Sequence, residues 1–365
     1  MNIRTKGAFL GLAFLVAFLY VGVQLNFINY YDRFGIPFGK QDVDNYLISI
    51  NNGSYIGPDD MLVIHMSRVL SSIITPELLL TWMVPLFLCV FLPLTVFMLG
   101  FWMSRDGTVA LVSTVVFVFG TIVLQAFGIS ALWSQMISTV FFVWAVIFSE
   151  EYFRNKASLM GNLAAIMAAL SVFAHLKAAG IFLIYIAIRF SLTHRKNALN
   201  TIPILFVMLA AIIYCIITPS YPYTVDVWYV FTHFMYPLLW ILAFFGLLKG
   251  LVSKQHSLVV ISSMVFMIMG ISSISVLWRP LLSALPFLAV FATIEIFEIL
   301  DRQRPVVSMI IILSLCLVLM AYSYDLTGMA LTSMYQEMIP GFFNDTVRNV
   351  NGTLFDSIWV SGGKI

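Results

Sequence analysis

Two carboxylates stand one residue apart at Asp42-Val43-Asp44, a short distance past the first long apolar run. A carboxylate in such a place can orient or deprotonate a hydroxyl acceptor. It can also offer hard oxygen ligands to Mg2+ or Mn2+. On a helix the two side chains would lie about 200° apart, so they need not share one ligand. Asp44 is the stronger candidate base, because Tyr46 and Leu47 directly after it can anchor its backbone against packed helices. Asp42 is its alternate, and the two together form the candidate metal pair. The plainer account of an isolated Asp-x-Asp is two solvated loop acids.

Other residues with usable chemistry are spread along the chain. His175 and Lys177 flank a predicted turn, Arg279 follows Trp278, and Asp226 sits in the aromatic stretch Tyr221 to Trp228. Each has a structural rival: a snorkelling lysine, a hydrogen-bonded histidine, a topology-setting arginine and an interfacial aromatic belt. Asp59-Asp60 reads as a helix cap and first-turn acid. Glu295 and Glu298, near Asp301-Arg302-Gln303-Arg304, read as a solvated or salt-bridged face rather than a proton path. Cys89, Cys215 and Cys316 fall inside apolar runs as small hydrophobes. No phosphate-cradling glycine loop, nucleophile elbow or metalloprotease helix occurs.

The elements that must position these groups are apolar throughout. Hydrophobic residues make up 61% of the chain and charged ones 10%, against about 45–50% and about 25% in soluble domains. This composition predicts an all-α polytopic membrane protein, and the absence of a basic cluster argues against a nucleic-acid partner. Apolar runs long enough to cross about 30 Å of hydrocarbon begin at about 7–27. They recur at 78–103, 108–126, 131–149, 159–176, 178–193, 201–218, 234–252, 257–275, 281–300 and 305–323, giving about 11 spans. The first reads as a retained signal anchor, and Pro85 and Pro93 are expected to kink the second. The transmembrane domain covers 1–323, followed by a short extracytoplasmic tail, 324–365.

A cytoplasmic N-terminus puts 12 of the 19 Lys and Arg residues in inner segments and 7 in outer ones, as the positive-inside rule requires. The glycosylation-type triplets at Asn52, Asn344 and Asn351 then all fall outside. The C-terminus is also expected outside, in a cell membrane rather than the endoplasmic reticulum. The first outer loop, 28–77, carries Asp42, Tyr46 and Ile50 at helical spacing, breakers around Gly57-Pro58, and a second amphipathic stretch through Met61, Ile64, His65, Arg68 and Val69. Two short juxtamembrane helices are predicted there, able to cover a cavity.

An acidic motif opening a long outer loop after a single span, followed by Asp44-Asn45-Tyr46-Leu47-Ile48-Ser49-Ile50 and Gly53, resembles the start of the GT-C superfamily of membrane glycosyltransferases. Similar phrases follow at Leu99-Gly100 with Ser104-Arg105, Ser130 to Gln135, Phe173 to Ala178 and Arg279-Pro280-Leu281-Leu282, so the resemblance covers about residues 1–300. It implies a GT-C-like bundle passing a sugar from a polyprenyl-phosphate donor to a glycan, lipid or protein acceptor on the extracytoplasmic face. Asp44 or Asp42 would be catalytic or metal-supporting, with Mg2+ or Mn2+ as the implied cofactor. Lys177 and Arg279 would supply charge for the phosphate, with His175, Asp226 and Tyr46 on the substrate side. Two other classes compete: a non-catalytic scaffold subunit of the same shape, suggested by the few acids in the next outer loop, and a lipid or solute transporter. A transporter would carry ionisable groups or broken helices near the bilayer midplane.

Overall fold

The computed structural model describes residues 3–34, 46, 50, 61–123, 133–175, 178–193, 234–272 and 279–338. Among these, the regular structure is helical. α1 is Ile3–Phe34 and α2 is Met61–Leu70; α3 is Val84–Ser104 and α4 is Gly107–Gly120. α5 is Trp133–Asn155, α6 is Ser158–Ala174 and α7 is Ala178–Thr193. α8 is Pro237–Val252, α9 is His256–Ser272, α10 is Arg279–Leu300 and α11 is Pro305–Met338. Of these, Val84–Ser104, Trp133–Asn155, Pro280–Leu300 and Pro305–Ser323 are long and apolar enough to cross a membrane. The expected span at 201–218 lies outside the described residues.

Local chemistry marks where the helices start and stop. Asp106 accepts from the backbone N–H groups of Thr108 at 2.6 Å and Val109 at 3.2 Å, satisfying donors that α4 would otherwise leave open. Just before it, Arg105 adopts a left-handed backbone with φ of 59° and returns its N–H to the Phe101 carbonyl, which closes α3. Lys156, φ 55°, makes the same turn between α5 and α6. The second expected span begins at Pro76 with Thr75 as cap, and passes through one π-helical turn, Leu79–Met83, before α3. Pro85 has no N–H to donate, and the wide turn directly before it accommodates that gap without breaking the helix.

Because short connections join consecutive helices, the bundle's ends sort by chain order. The turns at 105–106, 156–157, 253–255 and 301–304 lie at one end. There the described ion pairs gather: Arg105 and Arg154 with Glu151, Arg189 with Glu150, and Lys249 with Glu295 and Glu298. The opposite end holds Tyr46, His175 and an antiparallel bridge between Thr121 and Met235. The chain leaves α7 at the ion-pair end and enters α8 at the other.

α10 occupies the centre. Its spanning window is 89% buried, against 11% for that of α11. α4, α5, α8 and α9 pack around it. α8 approaches it through Gly246, where an added Cβ would meet the Phe291 carbonyl oxygen at 2.8 Å. α11 runs 34 residues, straight through the expected domain boundary at 323/324. The apolar run ends at Asp325, but Ala, Leu, Met, Gln and Glu after it are sound helix formers. Hydropathy bounds a span, not a helix.

Two substitutions test this account. Gly246→Val should lower the thermal stability of detergent-solubilised protein sharply, because the obstacle is backbone that cannot rotate away. Asp106→Ala should cost about 1 kcal/mol through loss of the cap. A Gly246→Val protein melting like the parent would disprove the close α8–α10 approach.

Candidate functional site

The loop between the first two expected spans touches the bundle at two described residues of its first predicted helix. Tyr46 and Ile50, four apart and so on one helical face, are both buried, Tyr46 to 6% exposure. The Tyr46 ring stacks on Trp133 at 5.7 Å with the planes 13° apart. Its hydroxyl is hydrogen-bonded to Ser134 Oγ at 3.0 Å, a buried contact across 88 residues of sequence. Trp133 and Ser134 form the first turn of α5. Tyr46 is thus held against the bundle, the packing expected of it from the sequence.

α2 packs on the same side of the bundle. Val63, Ile64 and Ser67 are buried against α5 and α6. His65 is exposed and Val69 is 73% exposed. Val69 joins Met66, Ile73, Leu78 and Trp82 in an exposed apolar band. Such a band suits the interfacial layer of a membrane, where Trp concentrates.

Beneath Tyr46 lies a layer of small polar groups. Ser138 Oγ donates to the Ser171 carbonyl and Ser171 Oγ to the Ser138 carbonyl, each at 2.9 Å. This reciprocal pair clasps α5 to α6. Thr139 Oγ1 donates to the Gln135 carbonyl at 2.9 Å and lies 3.3 Å from Ser283 Oγ, joining α5 to α10. His175 is buried as the residue closing α6: its N–H donates to the Ser171 carbonyl at 3.0 Å and its carbonyl accepts from Ala178 N at 2.9 Å. Arg279 opens α10 at this same end of the bundle. Asp42, Asp44, Lys177 and Asp226 lie outside the described residues, as does the side chain of Arg279. Among the described residues no group of three or more His, Cys, Asp or Glu is arranged to hold a metal ion.

Sequence reasoning missed a polar centre at the ion-pair end. Glu150 is fully buried, and its carboxylate accepts from Tyr185 Oη at 2.8 Å and Ser257 Oγ at 2.6 Å, with Arg189 Nε at 3.3 Å. One acid thus ties α5, α7 and α9 together. Its neighbour Glu151 faces outward to Arg154 and Asn155 and accepts from Trp102 Nε1 at 2.6 Å. Adjacent residues on a helix point about 100° apart, so a Glu-Glu doublet near a helix end could have signalled one acid in and one out. Glu295 and Glu298 meet Lys249 at 2.5 and 2.8 Å, which is the salt-bridged face expected of them.

Compared with protein-family models and with curated proteins, the chain matches none. What the arrangement can do therefore rests on its own residues. One end places Tyr46 beside the buried hydroxyl of Ser134, with Ser138, Gln135 and His175 buried at the same end; the other is locked by ion pairs.

The lock has a measurable signature. Breaking a buried ion pair by removing one partner costs about 3–5 kcal/mol, whereas replacing both with apolar residues of similar size is often near neutral. Glu150→Leu should therefore lower the melting temperature much more than the Glu150→Leu/Arg189→Met double variant. Equal losses would show that the pair is not coupled.

Proposed function

We propose that this chain is a polytopic membrane glycosyltransferase of the GT-C kind, moving a hexose from a polyprenyl-phosphate donor to an acceptor on the extracytoplasmic face. The carrying observation is the seat of Tyr46. Two residues of extended chain span at most about 7 Å, so a Tyr46 held by Trp133 and Ser134 tethers the Asp44 backbone close to the first turn of α5.

In this reading Asp44 takes the proton of an acceptor hydroxyl as its oxygen bonds to the anomeric carbon of the sugar. The bond from that carbon to the donor phosphate oxygen breaks, and the polyprenyl phosphate leaves with the electron pair. Arg279, at the head of α10, and Lys177, two residues after His175, supply positive charge to the departing phosphate. Arginine suits that task through its paired N–H donors. The exposed apolar band from Met66 to Trp82 supports setting this end at a membrane surface. The ion-pair end, rich in Arg and Lys, then faces the cytoplasm.

The test is transfer from polyprenyl-phosphate sugars in membranes carrying the full chain. Asp44→Asn should lower transfer about 10²–10⁴-fold, the usual contribution of a positioned acid–base group. Tyr46→Phe keeps the stacked ring and loses only the hydrogen bond, so a much smaller loss is expected. Chelation with EDTA reads out the implied Mg2+ or Mn2+ requirement. Full transfer by both Asp44→Ala and Asp42→Ala would rule the mechanism out, and a stoichiometric co-purifying partner would then favour the scaffold reading.

A further inference from the structure

A cavity of about 220 Å³ opens between α5, α6 and α7 at the ion-pair end, away from Tyr46. Most of its wall is apolar: Phe153 from α5, Gly161, Ala164 and Ala165 from α6, and Phe182 and Ile186 from α7. The void exists because α6 presents three small residues on one face, spaced three and four apart, opposite aromatic rings. It is already tight at Gly161, where an added Cβ would stand 3.1 Å from the Tyr152 ring. Ala165 and Phe190 at its rim are exposed. The mouth therefore opens sideways, on the face that hydrocarbon would cover.

One corner of this apolar space is cationic. Arg189 is buried, its guanidinium 4.5 Å over the Phe153 ring and its Nε 3.3 Å from Glu150. Glu150 also accepts from Tyr185 and Ser257, so the carboxylate acts as a fixed mount that aims the guanidinium. Lys156 Nζ lies 5.7 Å from the same Phe153 ring, at the exposed end of the helix pair. Arg195 and Lys196 follow α7 in the sequence. Walls of Phe, Ile and Ala suit an apolar occupant rather than water.

We propose that this crevice binds one anionic membrane phospholipid, with an acyl chain in the cavity and the phosphate between Lys156 and Arg189. Phosphate favours arginine for geometry and lysine for point charge. Basic residues beside a membrane are drawn to anionic lipid on the cytoplasmic leaflet. The proposal rests on the membrane reading of the bundle and is independent of the transferase chemistry at the other end.

The experiment is native mass spectrometry of the full chain in neutral detergent with phosphatidylglycerol or phosphatidylcholine. About tenfold tighter retention of one phosphatidylglycerol is expected. Ala165→Trp, which fills the mouth, and Lys156→Gln, which removes a cation but leaves the Glu150–Arg189 pair intact, should each abolish that preference while melting like the parent without lipid. Equal retention of the two lipids, or a preference unchanged in both variants, would overturn the site. Displacement of the lipid by inorganic phosphate alone would overturn its assignment to a lipid. Loss of sugar transfer bears on the other end only, whereas release of the chain from membranes by alkaline carbonate would remove the membrane reading and this site together.

Discussion

α10 is apolar on every side over most of its length and is the most enclosed of the long apolar helices, with 89% of its spanning window buried. The other helices pack around it. α8 comes within backbone contact through Gly246, α4 and α5 close two further sides, and α9 packs against both α8 and α10. α11, equally apolar but mostly exposed, is left on the outside, in contact with α4. Association of apolar helices in a membrane draws on close packing and small residues rather than on expelling water. Gly246 and Gly250, four apart on α8, are placed where that mechanism needs them.

With the centre occupied, polar chemistry is pushed to the two ends, and the ends differ in kind. One uses full charges in pairs, because a buried carboxylate such as Glu150 is tolerable only with donors and a cation around it. The other uses hydroxyls, backbone carbonyls and stacked rings. Ser138 with Ser171, Thr139 with Ser283 and Tyr46 with Ser134 are neutral contacts, none of which commits a charge. On the transferase reading we propose, neutral walls would suit a charged donor, since fixed internal ion pairs would compete for the same groups. The locked end holds the helices together through Glu150, Glu151 and Lys249.

Much of the helix layout was legible in the residues. Ten of the expected apolar runs fall on described helices, and four of those helices, against about 11 expected spans, are long and apolar enough to cross a membrane. The pairing of Glu295 and Glu298 with a cation was also readable from nearby charges. Less legible were features set by neighbours. The amphipathic stretch from Met61 to Val69 did not say which of its overlapping faces is buried, and Val63, Ile64 and Ser67 are, since that choice depends on what packs against a short helix. The end of α11 escaped hydropathy because no breaker coincides with the loss of apolar character at Asp325.

Composition and the spacing of apolar runs determined by themselves that this chain is a bundle of long helices and roughly where each begins, since those properties depend on local hydrogen bonding and side-chain polarity alone. They also pointed to Tyr46 as an anchor, because an aromatic two residues after an acidic motif is a local pattern. Only the tertiary structure decided what that anchor rests on: Trp133 and Ser134 are 87 and 88 residues away. It alone likewise decided that Glu150 turns inward to Arg189 while Glu151 turns out. Both outcomes are set by contacts between helices far apart in the chain, and no short-range rule carries the rotation of one helix about its axis relative to another.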